Sequence, residues 1–470
     1  CDQRFKEALE DAATVDKMIE SAGEDPLMME YMEKLPYMGV PFIGKECMEI
    51  PGLHFTAGIK AREGIKGKKY APALERVVRR GGAILIASGN ISEGCMWYES
   101  NNTVYGRTKN PYDLTRTVGG SSGGTAALVS ALGGPFGITS DVGGSTRIPS
   151  FFNGLFGHKP TGGSIPNFGT IPTCHGMVHR FCQLGPSCRH PEDLMPVLRL
   201  MAGPLSLADT DMDENMMLQN GYYEKYSWPD PNEVDVSNLK VIVVWEQPGS
   251  KFPVSRRSKE LVQAQDRVVE ALKQAGCEVE TRTFLHMRKA FDIWSEMLQE
   301  EQGHEFAEVI SDQQDQTIWP IYELLKWVFT AGKKSNHTLP ALGLAVVDRV
   351  IRKLNLSDKK TLEHGDELKA ELKAAMKGDT VMIFPTLPVP APKHGPLPLL
   401  LKFADAGAAG IMNVLQFPAT AVPTGLSSEG LPTGIQVVAD HGKDHLTIAI
   451  AQYLNRVGVA GWKPPLRNEE

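Results

Sequence analysis

A glycine- and serine-rich stretch, GGSSGGTAALVSALGGPFGITSDVGGSTR, runs from Gly119 to Arg147. It holds two Gly-Gly-Ser sites, at Ser121–Ser122 and at Ser145, with Asp141 between them. Glycine opens backbone dihedrals closed to other residues and lets N–H groups crowd around a reacting atom. A serine in such a bed is a candidate nucleophile with oxyanion donors alongside. A flexible linker is ruled out by the apolar segments Ala126–Leu132 and Pro135–Thr139, which need burial. A phosphate cradle would need Gly-x-x-x-x-Gly-Lys-Ser/Thr, which is absent, or Gly-x-Gly-x-x-Gly with an acid about 20 residues on.

With 470 residues, 42% hydrophobic and 22% charged, the chain has ample material for a large core. Its net charge of −7 gives no basic footprint for nucleic acid. No apolar run reaches the 18 residues of a membrane-spanning helix. The chain starts at Cys1, so an N-terminal segment, an anchor included, is expected to be missing. Seven widely spaced cysteines with no C-x-x-C pair read as reduced thiols, not a disulfide framework. Asn-x-Ser/Thr sequons at Asn90, Asn101, Asn336 and Asn355 are few enough for chance.

Along the chain, residues 2–35 read as helical. An apolar strand at Val40–Ile43 runs into Lys45, and a helix over about 70–80 leads to a buried strand, Ala83–Ser88. Residues 97–118 read as irregular and polar, followed by a helix at about 122–133 and a strand or loop at 135–144. Lys240–Trp245, the helical stripe Lys259–Gln274 and Glu278–Phe284 form a β–helix–β rhythm, which implies a parallel or mixed sheet. Strands are expected at Val381–Phe384 and Ile435–Ala439, helices at Ile321–Phe329, Leu339–Leu354 and His445–Asn455, and a polar surface excursion over 204–236.

A serine nucleophile needs a base. The chain has 12 histidines, and Gly120-Ser121-Ser122-Gly123-Gly124 matches the G-x-S-x-G elbow with Ser122 as nucleophile. That elbow needs a strand leading into it, and Asn110–Thr117 reads as a polar turn. The other base is lysine, which burial can deprotonate near neutrality. Lys66, Lys68 and Lys69 cluster as solvated groups. Lys45 alone follows a predicted buried strand and a glycine, although a strand-end lysine ordinarily points to solvent.

The segments GVPFIGK (39–45), GGSSGG (119–124) and DVGGSTRIP (141–149) resemble, in order and spacing, the three markers of the amidase signature family. The likeness continues through FGHKPTG (156–162), Pro385-Thr386 and GLPTGIQ (430–436), so it covers essentially the whole chain. Within the family, CMWYES (95–100) and the tail GIQVVADHGKDHLTIAIAQYL look most like the fatty acid amide hydrolases of the second vertebrate type. Glu46 stands where many members have Asp.

The resemblance implies a single α/β domain over 1–470, with a twisted mixed sheet covered by helices on both sides. Its core would span about 36–200 and 380–460, with a more variable surface and cap region at about 204–356. It also implies hydrolysis of carboxylic amides, above all long-chain fatty acid amides, through an acyl-enzyme. Ser145 would be the nucleophile, Ser121, held by a cis peptide after Gly120, the bridging serine, and Lys45 the base. The N–H groups of Val142, Gly143, Gly144 and Ser145 would face the oxyanion, with Ser122, Asp141 and Arg147 in support. Met96 and Trp97 would line the acyl site. No cofactor or metal is implied. An intracellular, membrane-associated enzyme and a homodimer fit this reading.

Cys174, His175, His179, Cys182, Cys188 and His190 lie close in sequence, but their spacing matches no full zinc pattern. Residues 321–354 combine apolar helices and Trp319, Trp327 and Phe329 with flanking Lys326, Lys333, Lys334, Arg349, Arg352 and Lys353. That pattern suits a core pair or a pair lying in a membrane surface. The alternatives are a soluble small-amide amidase, the glutaminase subunit of a transamidation complex, or a catalytically dead scaffold.

Overall fold

Three glycines let a short helix settle onto the sheet that carries the Gly/Ser stretch. In the computed structural model the helix Gly123–Ser130 crosses over strands ending at Gly89 and containing Gly137. A Cβ on Gly89 would lie 2.3 Å from the Thr125 nitrogen, one on Gly137 2.4 Å from Thr125 Cγ2, and one on Gly124 2.1 Å from the Asn90 nitrogen. Contacts this close tolerate no side chain. The second Gly-Gly pair of GGSSGG is therefore a packing device.

The structure describes residues 1–22, 25–202, 221–246, 248–312, 318–354, 357–395 and 402–465. Fifteen strands are found in them: β1 Asp2–Gln3, β2 Pro41–Lys45, β3 Ile84–Gly89, β4 Asn101–Asn102, β5 Gly106–Arg107, β6 Lys109–Asn110, β7 Asp113–Thr117, β8 Phe136–Asp141, β9 Phe156–Lys159, β10 Gln183–Cys188, β11 Lys240–Val243, β12 Glu278–Thr281, β13 Thr380–Phe384, β14 Ala419–Leu426 and β15 Pro432–Ala439. Eleven form one mixed sheet in the order β1-β3-β2-β8-β10-β9-β14-β15-β13-β11-β12. β3, β2 and β8 run parallel, as do β13, β11 and β12, with antiparallel pairs between the two groups. Helices surround this sheet, giving the expected α/β architecture.

Local signals account for the helices that frame the site. Pro72–Gly81 begins on a proline, buries Leu74 and Val77, and ends at Gly82 in the left-handed region, φ 70°. Lys259–Gln274 is capped by Ser258, whose side chain accepts the Leu261 N–H, and buries Leu261, Ala264, Val268 and Leu272. The parallel register Phe42↔Phe136 and Ile43↔Gly137 is backed by stacked Phe42 and Phe136 rings, centroids 5.4 Å apart. It brings the carboxyl ends of β2 and β8, hence Lys45 and Asp141, to one edge.

Several expectations change. Residues 97–118 are not irregular: β4–β5 and β6–β7 form two small antiparallel pairs. A strand, Asp113–Thr117, thus does precede the Gly/Ser turn. The 204–356 region is not all cap, since β11 and β12 extend the main sheet. Residues 203–220 of the expected polar excursion, and Asn355, lie outside the described residues. Asn90 is buried, and its side chain donates to Gly106 O and Thr108 Oγ1, which leaves no room for a glycan. All seven cysteines are free thiols.

Gly124→Ala should destabilise the fold by roughly 1–3 kcal/mol, because the new methyl meets backbone on the opposite side. Gly303→Ala, where a Cβ meets nothing within 4 Å, should stay within about 0.5 kcal/mol of the parent. Chemical unfolding of the two variants measures both.

Candidate active site

Lys45 ends β2 and is fully buried, contrary to the solvent-facing reading of a strand-end lysine. Its Nζ donates to Ser121 Oγ at 2.7 Å and to Ser140 Oγ at 2.8 Å. The Gly120–Ser121 peptide is cis, as the resemblance implied. Ser145 sits on the loop after β8, at the junction of two cavities whose walls both contain Cys95, Met96, Val142 and Ser145. Ser121 and Ser140 also line the second. No protein group hydrogen-bonds Ser145 Oγ among the described residues.

The loop Val142–Thr146 is organised from below by a buried carboxylate. Asp141 Oδ1 accepts the Gly144 N–H at 2.6 Å, and Oδ2 accepts the N–H groups of Thr146 and Arg147. The Arg147 guanidinium donates to both oxygens, each at 3.0 Å. Burial pushes the Asp141 carboxyl up, but the Arg147 charge and hydrogen bonds outweigh it and hold the group down at about 2. Gly144 lies at φ 109°, a conformation that favours glycine. The Gly144 N–H, expected among the oxyanion donors, is thus occupied by Asp141. Among the described residues, the N–H groups of Val142, Gly143 and Ser145 have no such partner.

Ser122 does not reach the cavities. It is buried, and its Oγ donates to the Ser140 carbonyl at 3.3 Å. No histidine hydrogen-bonds Ser121, Ser122 or Ser145 among the described residues, so no Ser-His-Asp arrangement is assembled there. His158, for example, bonds Thr420 and Asp444, and His394 bonds Glu99. The Cys/His-rich stretch is dispersed as well: His179 bonds Asn167, Cys188 is buried in β10, and Cys174 and Cys182 face the second cavity. Among the described residues, the one group whose ligand atoms lie within 4.8 Å of one another is elsewhere, at His286, His364 and Glu367.

Met96 and Trp97 line the first cavity, together with Tyr98, Phe291, Trp294 and Phe403. Sequence reasoning missed most of this aromatic wall, because its residues are far apart in the chain and carry no motif. It also missed three hydrogen-bonding supports. Trp294 Nε1 donates to the Val142 carbonyl at 2.9 Å, fixing the loop. Arg147 donates to Gln436 Oε1 at 2.8 Å and to Asn413 Oδ1 at 2.7 Å. Of the three, only Gln436 had a local signal, as the last residue of GLPTGIQ.

Comparison with known proteins assigns this geometry to a class. The chain belongs to the amidase family, whose model matches residues 3–448. It is an amide-hydrolysing enzyme. It is 36% identical to fatty-acid amide hydrolase 2-B of Danio rerio over 98% of this chain and 83% of that one. It is likewise 36% identical to human fatty-acid amide hydrolase 2, over 98% of this chain and 82% of the relative. The fold matches the crystal structure of a glutamyl-tRNA(Gln) amidotransferase subunit from Thermotoga maritima, TM-score 0.69 with 21% identity, covering 89% of this chain and 83% of that one.

Next to Lys45, Glu46 is buried and accepts through Oε1 from Thr56 N, Thr56 Oγ1 and Tyr105 OH, while Oε2 has no partner among the described residues. Burial pushes its carboxyl up to about 7, against those three hydrogen bonds. Below its ordinary value of 4.5 both folded and unfolded chains hold the proton, and Glu46 adds no pH dependence. Between about 4.5 and 7 the folded chain keeps a proton that the unfolded chain has lost. Stability therefore falls as pH rises, by roughly 1.4 kcal/mol per unit, until the folded group ionises too. Glu46→Gln removes that loss, so its stability relative to the parent should climb between pH 5 and 7 in urea unfolding. A pH-independent difference would show a folded-state Glu46 that is already ionised.

Proposed function

We propose that the enzyme hydrolyses long-chain fatty acid amides with Ser145 as nucleophile, Ser121 as bridging serine and Lys45 as base. The observation that carries this reading is the position of Ser145, where an aromatic cavity meets a second cavity beside the Lys45–Ser121 hydrogen bond. Ser145 Oγ attacks the amide carbon while its proton passes to Ser121 Oγ and the Ser121 proton passes to Lys45 Nζ. The Val142, Gly143 and Ser145 N–H groups face the developing oxyanion. On collapse of the tetrahedral species the proton returns through Ser121 to the departing amine. Water then cleaves the acyl-enzyme by the same relay.

The substrate class rests on the first cavity and on the surface above it. The acyl chain fits a wall of Met96, Trp97, Phe291, Trp294 and Phe403. The helices Pro320–Thr330 and Leu339–Lys353 pack on each other, and Leu344 of the second reaches that cavity. Their outer face exposes Trp319, Ile321, Tyr322, Val328 and Phe329, the last 84% exposed. No helix among the described residues is long and apolar enough to cross a membrane. An apolar face of this kind beside exposed Lys333 and Lys334 suits docking in the plane of a lipid surface. Arg349 and Arg352, which flank it, pair with Glu305 and Asp348. A small-amide amidase or a tRNA-dependent glutaminase would need neither this face nor the aromatic cavity.

Ser145→Ala should abolish turnover while leaving the unfolding midpoint unchanged, and Lys45→Ala should slow hydrolysis by several orders of magnitude. A fluorophosphonate should mark Ser145 in peptide mass spectra. A mark on Ser122 would return the elbow reading.

For the lipid part, kcat/KM should rise with acyl length until the cavity is full, since each buried methylene contributes about 0.8 kcal/mol. Ile321→Glu with Phe329→Glu should weaken vesicle sedimentation and spare hydrolysis of a short soluble amide. A flat chain-length response, or vesicle binding that survives both charges, would exclude the lipid assignment.

A further inference from the structure

Four of the seven cysteines, spread over the chain from position 47 to 182, converge on the second cavity: Cys47, Cys95, Cys174 and Cys182. Buried cysteine ordinarily serves as a small hydrophobe, and Cys188 and Cys277, packed in the core, fit that role. Cys95 differs. It is only partly buried, and it stands in the wall shared by both cavities, as Ser145 does. Its backbone is at φ 60°, at the end of the turn Glu93–Cys95, an unusual conformation for a residue with a side chain.

Cys95 also stands beside a polar chain that starts at the candidate base. Lys45 Nζ donates to Ser140 Oγ at 2.8 Å, and Ser140 Oγ lies 3.8 Å from Cys47 Sγ. Cys95 Sγ itself donates to the Ile171 carbonyl at 3.7 Å. The neighbouring Cys47 draws the Cys95 thiol below its ordinary value against its burial, whereas burial raises Cys47 well above it. The thiolate is the reactive form of cysteine, and of this pair only Cys95 stands in the walls of both cavities.

We propose that Cys95 is a site of covalent modification by α,β-unsaturated aldehydes with an apolar tail, and that the adduct blocks amide hydrolysis. The tail occupies the aromatic cavity, which brings the conjugated head to the wall shared with Ser145. The sulfur electron pair forms a C–S bond to the β-carbon as the C=C π pair moves to the α-carbon. The α-carbon takes the thiol proton. Nothing leaves, and no oxidant or reductant is consumed. The proposal rests on the apolar cavity invoked for the acyl chain, but not on the catalytic roles of Ser145, Ser121 or Lys45.

The test uses the full chain and trans-2-nonenal, with borohydride to fix the adduct and peptide mapping to locate it. Cys95 should be modified at least tenfold faster than the exposed Cys1, and amide turnover should fall in step with occupancy of Cys95. Propenal, which lacks the tail, should modify Cys95 at least tenfold more slowly than nonenal. Ser145→Ala should still form the Cys95 adduct, which separates this result from any failure of the catalytic assignment. Cys95→Ser should lose the adduct, and the site ratio measured in the parent chain stands even if that variant misfolds. Modification of Cys1 or of surface histidines ahead of Cys95 would overturn the proposal. Equal rates for the two aldehydes would overturn the lipid specificity, and full turnover by the Cys95 adduct would overturn the blockade.

Discussion

The buried pair of Asp141 and Arg147 ties together more of this molecule than any other contact. Both side chains are sealed from water, so each charge would be costly alone. Both groups are heavily hydrogen-bonded instead. Asp141 takes three backbone N–H groups besides the guanidinium. Arg147 passes its remaining donors to Gln436 on β15 and to Asn413 on the helix Gly407–Val414. Asn413 in turn donates to the Asp141 carbonyl. One ion pair therefore fixes the end of β8, the loop carrying Ser145, a strand from the far half of the sheet and a helix packed against Trp294. Replacing such a pair by apolar residues of equal volume is often neutral for stability. The loop Val142–Thr146, however, would lose the acceptor that turns its N–H groups. The arrangement is best understood as serving geometry first.

The same economy governs Lys45. A lysine at the end of a strand is held inside because β2 and β8 are parallel neighbours and Ser140 and Ser121 both meet its Nζ. The glycines at 89, 124 and 137 are what let the helix Gly123–Ser130 come close enough to deliver Ser121. Packing and chemistry are one requirement here. The residues that remove side-chain volume under that helix are the ones that bring the second hydroxyl to the amine.

Much of this was legible in the sequence because it is local. The strands at 40–45 and 84–89, the helix at 72–81 and the β–helix–β unit over 240–281 announce themselves by apolar periodicity and by their Pro and Gly boundaries. Motifs singled out Lys45, Ser121, Asp141, Ser145 and Arg147 as candidates. β9, β10 and β14 were not, because they are short or interrupted: β14 carries Pro423, where its register with β15 shifts. Asp113–Thr117 was read as a turn since its alternating polar residues lack an apolar face. Its strand exists by pairing with Lys109–Asn110. Asn413, Trp294 and the aromatic cavity were invisible for a different reason. Their roles arise from contacts across 152 to 272 residues of chain, and nothing near them in sequence marks the partner. The fate of the Gly144 N–H was hidden too, since it depends on where Asp141 points.

One carboxylate links the surface helices to the cavity wall. Glu93 Oε1 lies 2.7 Å from His337 Nδ1, and Oε2 accepts the Thr338 N–H at 2.7 Å at the start of the helix Leu339–Lys353. A carboxylate there answers an unpaired N–H and complements the positive end of the helix. Glu93 begins the turn that continues into Cys95, Met96 and Trp97, all of which line the first cavity. Leu344, on the same helix as Thr338, reaches that cavity from the other side. The helical pair thus grips the cavity wall at its inner end by a buried polar clamp, while its outer face exposes Ile321, Val328 and Phe329. A load applied to the exposed face has a short, stiff route to Met96. If the pair docks on lipid, the surface that supplies substrate also bears on the wall the substrate must pass.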